Sequence, residues 1–104
     1  MTYRGVLLLM YDLPVTSSED RKETERFRKN IRRLGYVPMQ KSVYVKLLRQ
    51  YAGISSEMEK IEFIKPESGL IQVIPLTLAE FKKLNTVRGE GFDMSFFSDD
   101  VIVV

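Results

Sequence analysis

A chain of 104 residues with 44% hydrophobic and 11% aromatic side chains fits one folded domain with a single modest core, spanning residues 1–104, rather than a disordered segment. It contains no cysteine and no histidine, which excludes disulfide frameworks, thiolate and imidazole metal sites, and Ser-His or Cys-His nucleophilic catalysis. Chemistry is left to carboxylates, Lys, Arg, Tyr or a hard, oxygen-liganded metal, and the net charge of +2 conceals an asymmetry, with eleven Lys and Arg against five acids in residues 1–50 but five against nine in residues 51–104.

A basic half of this kind favours a polyanionic partner on one surface, although a dipolar domain also arises without one. The apolar run from Val6 to Tyr11 is short for a signal-peptide core, and Asp12 and Pro14 follow it in place of a small-residue cleavage site. No segment has the length and apolarity of a membrane span, so the expected location is the cytoplasm and no membrane partner is expected.

In chain order, Val6–Tyr11 reads as a strand buried on both faces. Thr16-Ser17-Ser18-Glu19 fits a capping box and predicts a helix from about Ser18 to Leu34, with Thr24, Phe27, Ile31 and Leu34 as its buried stripe and Gly35 as its left-handed stop. From Tyr36 to Leu47 the period changes to two, predicting one long strand, bent at Pro38. Ile54, Met58 and Ile61 give a second amphipathic helix that ends before Pro66, and Ser68-Gly69 turns the chain into a strand over Leu70–Leu76. Leu78 to Leu84 is open between a short strand and a helical turn. After Gly89 and Gly91 come Phe92 to Phe97, then Asp99 and Asp100 as edge-protecting charges before a β-branched run, Val101–Val104.

This order suits an α+β, ferredoxin-like βαββαβ layout with an extra C-terminal strand. Two helices on one face of a sheet leave the other face uncovered, which favours a homodimer in which the last strand adds to the neighbour's sheet.

Seven cations lie on the first helix: Arg21, Lys22, Arg26, Arg28, Lys29, Arg32 and Arg33. Lys22, Arg26, Lys29 and Arg33 recur at helical spacing and form a stripe of the kind that meets nucleic-acid phosphates. The same stripe suits a solvated helix face, with Arg32 and Arg33 complementing the negative end of the helix dipole. Gln40, Lys41, Ser42 and Tyr44 are further candidates for phosphate contacts, against the reading that Ser42 and Tyr44 are sheet residues with satisfied hydroxyls. Asp12 before Leu13-Pro14 is ordinary turn chemistry. If two sheets meet about a two-fold axis near this strand end, however, two copies of Asp12 would face each other and together hold one Mg²⁺ or Mn²⁺, with phosphate oxygens completing the shell.

The ordered set Leu8-Leu9-Met10-Tyr11-Asp12-Leu13-Pro14, Asp20-Arg21-Lys22, Arg26-Phe27-Arg28-Lys29, Gly35-Tyr36 and Gln40-Lys41-Ser42-Val43-Tyr44-Val45 resembles the CRISPR-associated protein two family, especially members that accompany single-protein, type II effectors. The resemblance continues through Gly69–Ile74 to Val101–Val104. It implies a ferredoxin-like homodimer at the centre of the spacer-acquisition complex, holding double-stranded prespacer DNA between two dimers of the CRISPR integrase subunit. It also implies a metal-dependent endonuclease on single-stranded RNA or double-stranded DNA, with Asp12 as both metal ligand and catalytic residue. In some members that aspartate is dispensable for integration, so the resemblance alone does not make Asp12 catalytic, and a DNA-binding adaptor whose chemistry the integrase supplies is a competing expectation. Many members carry an acidic residue after the Ser-Val-aromatic unit, whereas this chain has Val45.

The competing class is a ferredoxin-like RNA-binding or small-molecule regulatory domain. Against the first, no segment carries the glycine-aromatic pattern that stacks bases on a sheet; against the second, the basic helix has no use.

Overall fold

A computed structural model of the chain describes residues 4–91. Its elements are Gly5–Asp12 (β1), Ser18–Arg33 (α1), Val37–Gln40 (β2), Val43–Leu48 (β3), a 3₁₀ turn at Tyr51–Gly53, Ile54–Ile64 (α2), Leu70–Thr77 (β4) and Leu78–Phe81 (α3). The four strands form one sheet in the order β2-β3-β1-β4, antiparallel at every pairing. Two interleaved β-α-β units with this strand order make the ferredoxin-like α+β fold.

The single strand predicted over Tyr36–Leu47 is instead a tight hairpin. Val37 pairs with Val45, Pro38 with Tyr44 and Gln40 with Val43, so the chain reverses at Lys41-Ser42, with a register shift between Pro38 and Gln40. Alternation of period two does not reveal where a strand folds back, and the reversal carries no Gly or Asn to mark it. Ser42 takes the left-handed backbone instead, at φ 64°.

β1 is central, and alternation divides its side chains between the two faces. Leu7, Leu9 and Tyr11 meet Phe27 and Ile31 of α1, Ile61 of α2, and Tyr44 and Leu48 of β3 in the main core. On the opposite face Val6, Val45 and Leu47 pack with Phe81. That second face is therefore covered at the Gly5 end by α3, where the ambiguous segment from Leu78 resolves as one helical turn closed by a capping box between Thr77 and Glu80. Towards the Asp12 end no element among the described residues closes it: Leu8 and Met10 are only half-buried and Ile74 is 44% exposed.

Local signals set the ends of α1. Its N-cap is Ser17, whose hydroxyl accepts from the Asp20 N–H at 3.0 Å, so the cap lies one residue later than the Thr16…Glu19 box. Asp20 does not reach back to the backbone; its carboxylate accepts from the Thr16 hydroxyl at 3.2 Å. At the other end Gly35, at φ 99°, donates to Arg32 O, and Tyr36 donates to Ile31 O, closing a Schellman motif. The segments Phe92–Phe97, Asp99-Asp100 and Val101–Val104 lie outside the described residues.

Candidate nucleic-acid interface

The amphipathic pattern of α1 turns Thr24, Phe27 and Ile31 inward and leaves its cations in two rows. The outer row, Lys22, Arg26, Lys29 and Arg33, is exposed and borders one shallow surface together with Glu25 and Asn30. Arg26 pairs with Glu23. Lys22, Lys29 and Arg33 have no ion-pair partner among the described residues. An exposed pair at i,i+3 contributes only about 0.3–0.5 kcal/mol, too little to hold Arg26 away from an incoming phosphate. Arg21 is turned back to the loop before the helix, donating to Val15 O at 3.3 Å and Thr16 O at 3.4 Å.

The inner row, Arg28 and Arg32, faces the β2–β3 hairpin across a cleft of about 340 Å³ that Tyr11, Lys41, Ser42 and Tyr44 also line. Arg28 Nε donates to the Tyr11 hydroxyl at 3.0 Å, and its Nη1 donates to Glu25 at 3.0 Å. The Tyr11 bond is the main reason the guanidinium is pushed further up from its ordinary value, so Arg28 stays a cation. Beneath it Tyr11 stacks on Tyr44, centroids 6.1 Å apart, and meets Phe27 edge-on at 5.6 Å. Gln40, Lys41, Ser42 and Tyr44 thus surround a turn rather than the middle of a strand. Tyr44 is 3% exposed as a residue and its hydroxyl has no protein hydrogen-bond partner among the described residues, but no buried side-chain oxygen among them is left unpartnered, so this hydroxyl reaches solvent at the cleft surface. Sequence reading missed the cleft because it is made by two segments that meet only in the fold.

Asp12 ends β1 opposite Leu70, on the face away from α1 and α2, and is exposed. The backbone around it is closely held. Tyr11 N donates to Ser42 O at 3.1 Å, and the Thr24 hydroxyl donates to Pro14 O at 3.1 Å. Gly69, at φ 100°, passes so near that an added Cβ would lie 2.5 Å from Leu13 Cδ2 and 3.0 Å from Asp12 O. The carboxylate and the basic cleft therefore share one end of the sheet on opposite faces, joined by the Tyr11–Ser42 bond. Among the described residues no three His, Cys, Asp or Glu converge, so one chain offers a metal a single carboxylate. Val45, which stands where many members of the resembling family carry an acid, is 0% exposed in the second core cluster.

A further cluster was not foreseen. The stripe Ile54, Met58, Ile61 predicted Met58 as buried, yet Met58 is 42% exposed and the neighbouring Glu57 is 5% exposed. Lys46 of β3 donates to both Glu57 oxygens at 3.0 Å and to Leu34 O at 2.6 Å, and the Tyr36 hydroxyl donates to Glu57 at 3.1 Å. Burial acts to raise the Glu57 carboxyl, but Lys46, Tyr36 and Lys60 together hold it below its ordinary range. Burial and the Glu57 charge push the Tyr36 hydroxyl well up, so it remains a donor. The only sequence signal was Lys46 alternating inward on its strand.

Residues 6–84 match the family model described as CRISPR associated protein Cas2. A Treponema denticola protein named CRISPR-associated endoribonuclease Cas2 is 33% identical over 98 residues, covering 94% of this chain and 97% of that protein. Proteins of the same name from Lacticaseibacillus rhamnosus and Ligilactobacillus salivarius are also similar. The first is 29% identical over 99 residues, 94% of this chain and 98% of its own length; the second is 33% identical over 84 residues, 81% and 83%.

Proposed function

The chain belongs to the Cas2 family of CRISPR-associated proteins, and on that premise we propose that it is a cytoplasmic, homodimeric subunit of the spacer-acquisition complex that holds double-stranded prespacer DNA between two dimers of the CRISPR integrase. The observation that carries this reading is the exposed outer row of α1, in which Lys22, Lys29 and Arg33 have no carboxylate partner among the described residues. Cations spaced along a helix face bind phosphates irrespective of base sequence, as a protein that accepts arbitrary DNA must. The second copy would cover the open, partly apolar end of the sheet beside Leu8, Met10 and Ile74. Among the described residues no helix is long and apolar enough to cross a membrane.

Phosphodiester hydrolysis is the second part of the proposal, and the endoribonuclease name of the relatives points to RNA as one substrate. One Asp12 is too thin a donor set for a hard cation. Two, paired across a dimer axis with phosphate oxygens of the bound strand, suit Mg²⁺ or Mn²⁺, which when bound supplies an activated water and charge stabilisation at phosphorus. The chain's own contribution is positional: β1, Gly69 and the Tyr11–Ser42 bond hold the Asp12 backbone, and the nearby cations bind and orient the anionic strand.

The test is cleavage of labelled duplex DNA and single-stranded RNA by wild type and Asp12→Asn, with and without Mg²⁺, alongside binding to the same molecules. The expected result is metal-dependent cleavage that Asp12→Asn abolishes while affinity is kept. Full activity in the variant would remove Asp12 from the chemistry. Binding without cleavage by either protein would leave an adaptor whose chemistry belongs to the integrase.

A further inference from the structure

The cleft between α1 and the β2–β3 hairpin is chemically unlike the outer row of the helix. The outer row is a convex, open line of cations. The cleft is concave, with cations arriving from two directions: Arg28 and Arg32 from the helix, Lys41 from the hairpin turn. Its floor carries the Tyr44 hydroxyl, which has no protein hydrogen-bond partner among the described residues and reaches the solvent of the cleft, and its rim carries Ser42 in a left-handed conformation uncommon for a residue with a side chain. A solvent-facing hydroxyl on the floor of a cationic cleft is placed to donate to an anion that enters. Backbone strain kept at the rim is also a feature of ligand clamps.

We propose that this cleft binds a terminal phosphate of a nucleic-acid strand. The donor inventory selects the monoester over an internal diester. Arg32 and Lys41 have no carboxylate partners among the described residues, Arg28 retains Nη2, and Ser42 and Tyr44 add two hydroxyls. That set matches three free oxygens and a charge near −2 better than the two oxygens and single charge of a diester. A strand end seated here lies at the same end of the sheet as Asp12. The inference rests on the nucleic-acid reading above but assigns a separate site.

Two measurements separate this site from that reading. In the first, the full-length protein is titrated with a nucleoside monophosphate and with the unphosphorylated nucleoside, following backbone amide resonances. The monophosphate alone is expected to move Lys41–Tyr44 and Arg32, and Arg32→Ala with Lys41→Ala removes the response. In the second, short strands with a terminal phosphate and a terminal hydroxyl are compared by anisotropy. About tenfold preference for the phosphate is expected, falling towards one in Tyr44→Phe and in the double variant. Lys22→Ala with Lys29→Ala should weaken both strands alike and keep the ratio. Equal wild-type affinity for the two ends, with no monophosphate response, overturns the cleft while leaving duplex binding intact. A monophosphate response without any duplex binding preserves the cleft and overturns the wider function.

Discussion

Glu57 is where single-residue physics departs most from hydrophobic patterning. A carboxylate at 5% exposure is tolerable only because Lys46, Tyr36 and Lys60 surround it, and removing one partner from such a cluster leaves a desolvated charge behind. Its pKa in the fold is lowered, so the unfolded chain binds more protons than the native one on the acid side. The stabilisation is fully present above the ordinary carboxyl value of 4.5 and is lost as pH falls through the lowered native value. Glu57→Gln is therefore expected to cost about 1–3 kcal/mol at neutral pH. It should also flatten the decline in unfolding free energy below pH 4.5, measured by urea denaturation across that range. An unchanged acid limb would show that Glu57 is not the group responsible. Tyr44 lies at the same scale with the opposite logic: its ring is buried while its hydroxyl reaches solvent, so that group carries no unpaired desolvation cost.

At the scale of elements, α1 serves both the core and the interface. Phe27 and Ile31 dock one side, while the turns between them present cations on the other. Because the pairings within the helix are short-range and exposed, they contribute little to holding it together, and binding phosphate displaces them at small cost. Replacing Lys22, Lys29 and Arg33 with Ala should lower duplex affinity and reduce the slope of log affinity against log salt by about one per lost phosphate contact. The helix content seen by circular dichroism should hardly change. A variant with wild-type slope would place the duplex elsewhere. The β2–β3 hairpin is the second working element: its reversal at Lys41-Ser42 brings Lys41 opposite α1, which a single long strand would not do.

At the scale of the fold, the sheet has an asymmetric second face among the described residues, closed by Phe81 at the Gly5 end and open at the Asp12 end. If the open end is the dimer surface, Ile74→Glu is expected to convert dimer to monomer in sedimentation equilibrium while leaving the main core intact, because Ile74 is 44% exposed in a single chain. A variant that stays dimeric would move the two-fold contact to another surface. Pro75 beside it has no N–H to offer, which blunts the ladder of β4, an edge strand among the described residues. Helix α1, its glycine stop, the central strand and β4 were all legible in the amino-acid order. Each rests on interactions within a few residues: capping hydroxyls, helical spacing, alternation and a left-handed glycine. The cations and Asp12 were legible as candidates for the same reason, since charge and spacing need no fold. The hairpin, the burial of Glu57, the one-sided cover by Phe81 and the cleft around Tyr44 were not. Each joins residues far apart in the chain, and their cost or gain comes from desolvation and packing that exist only once the sheet has brought those segments together.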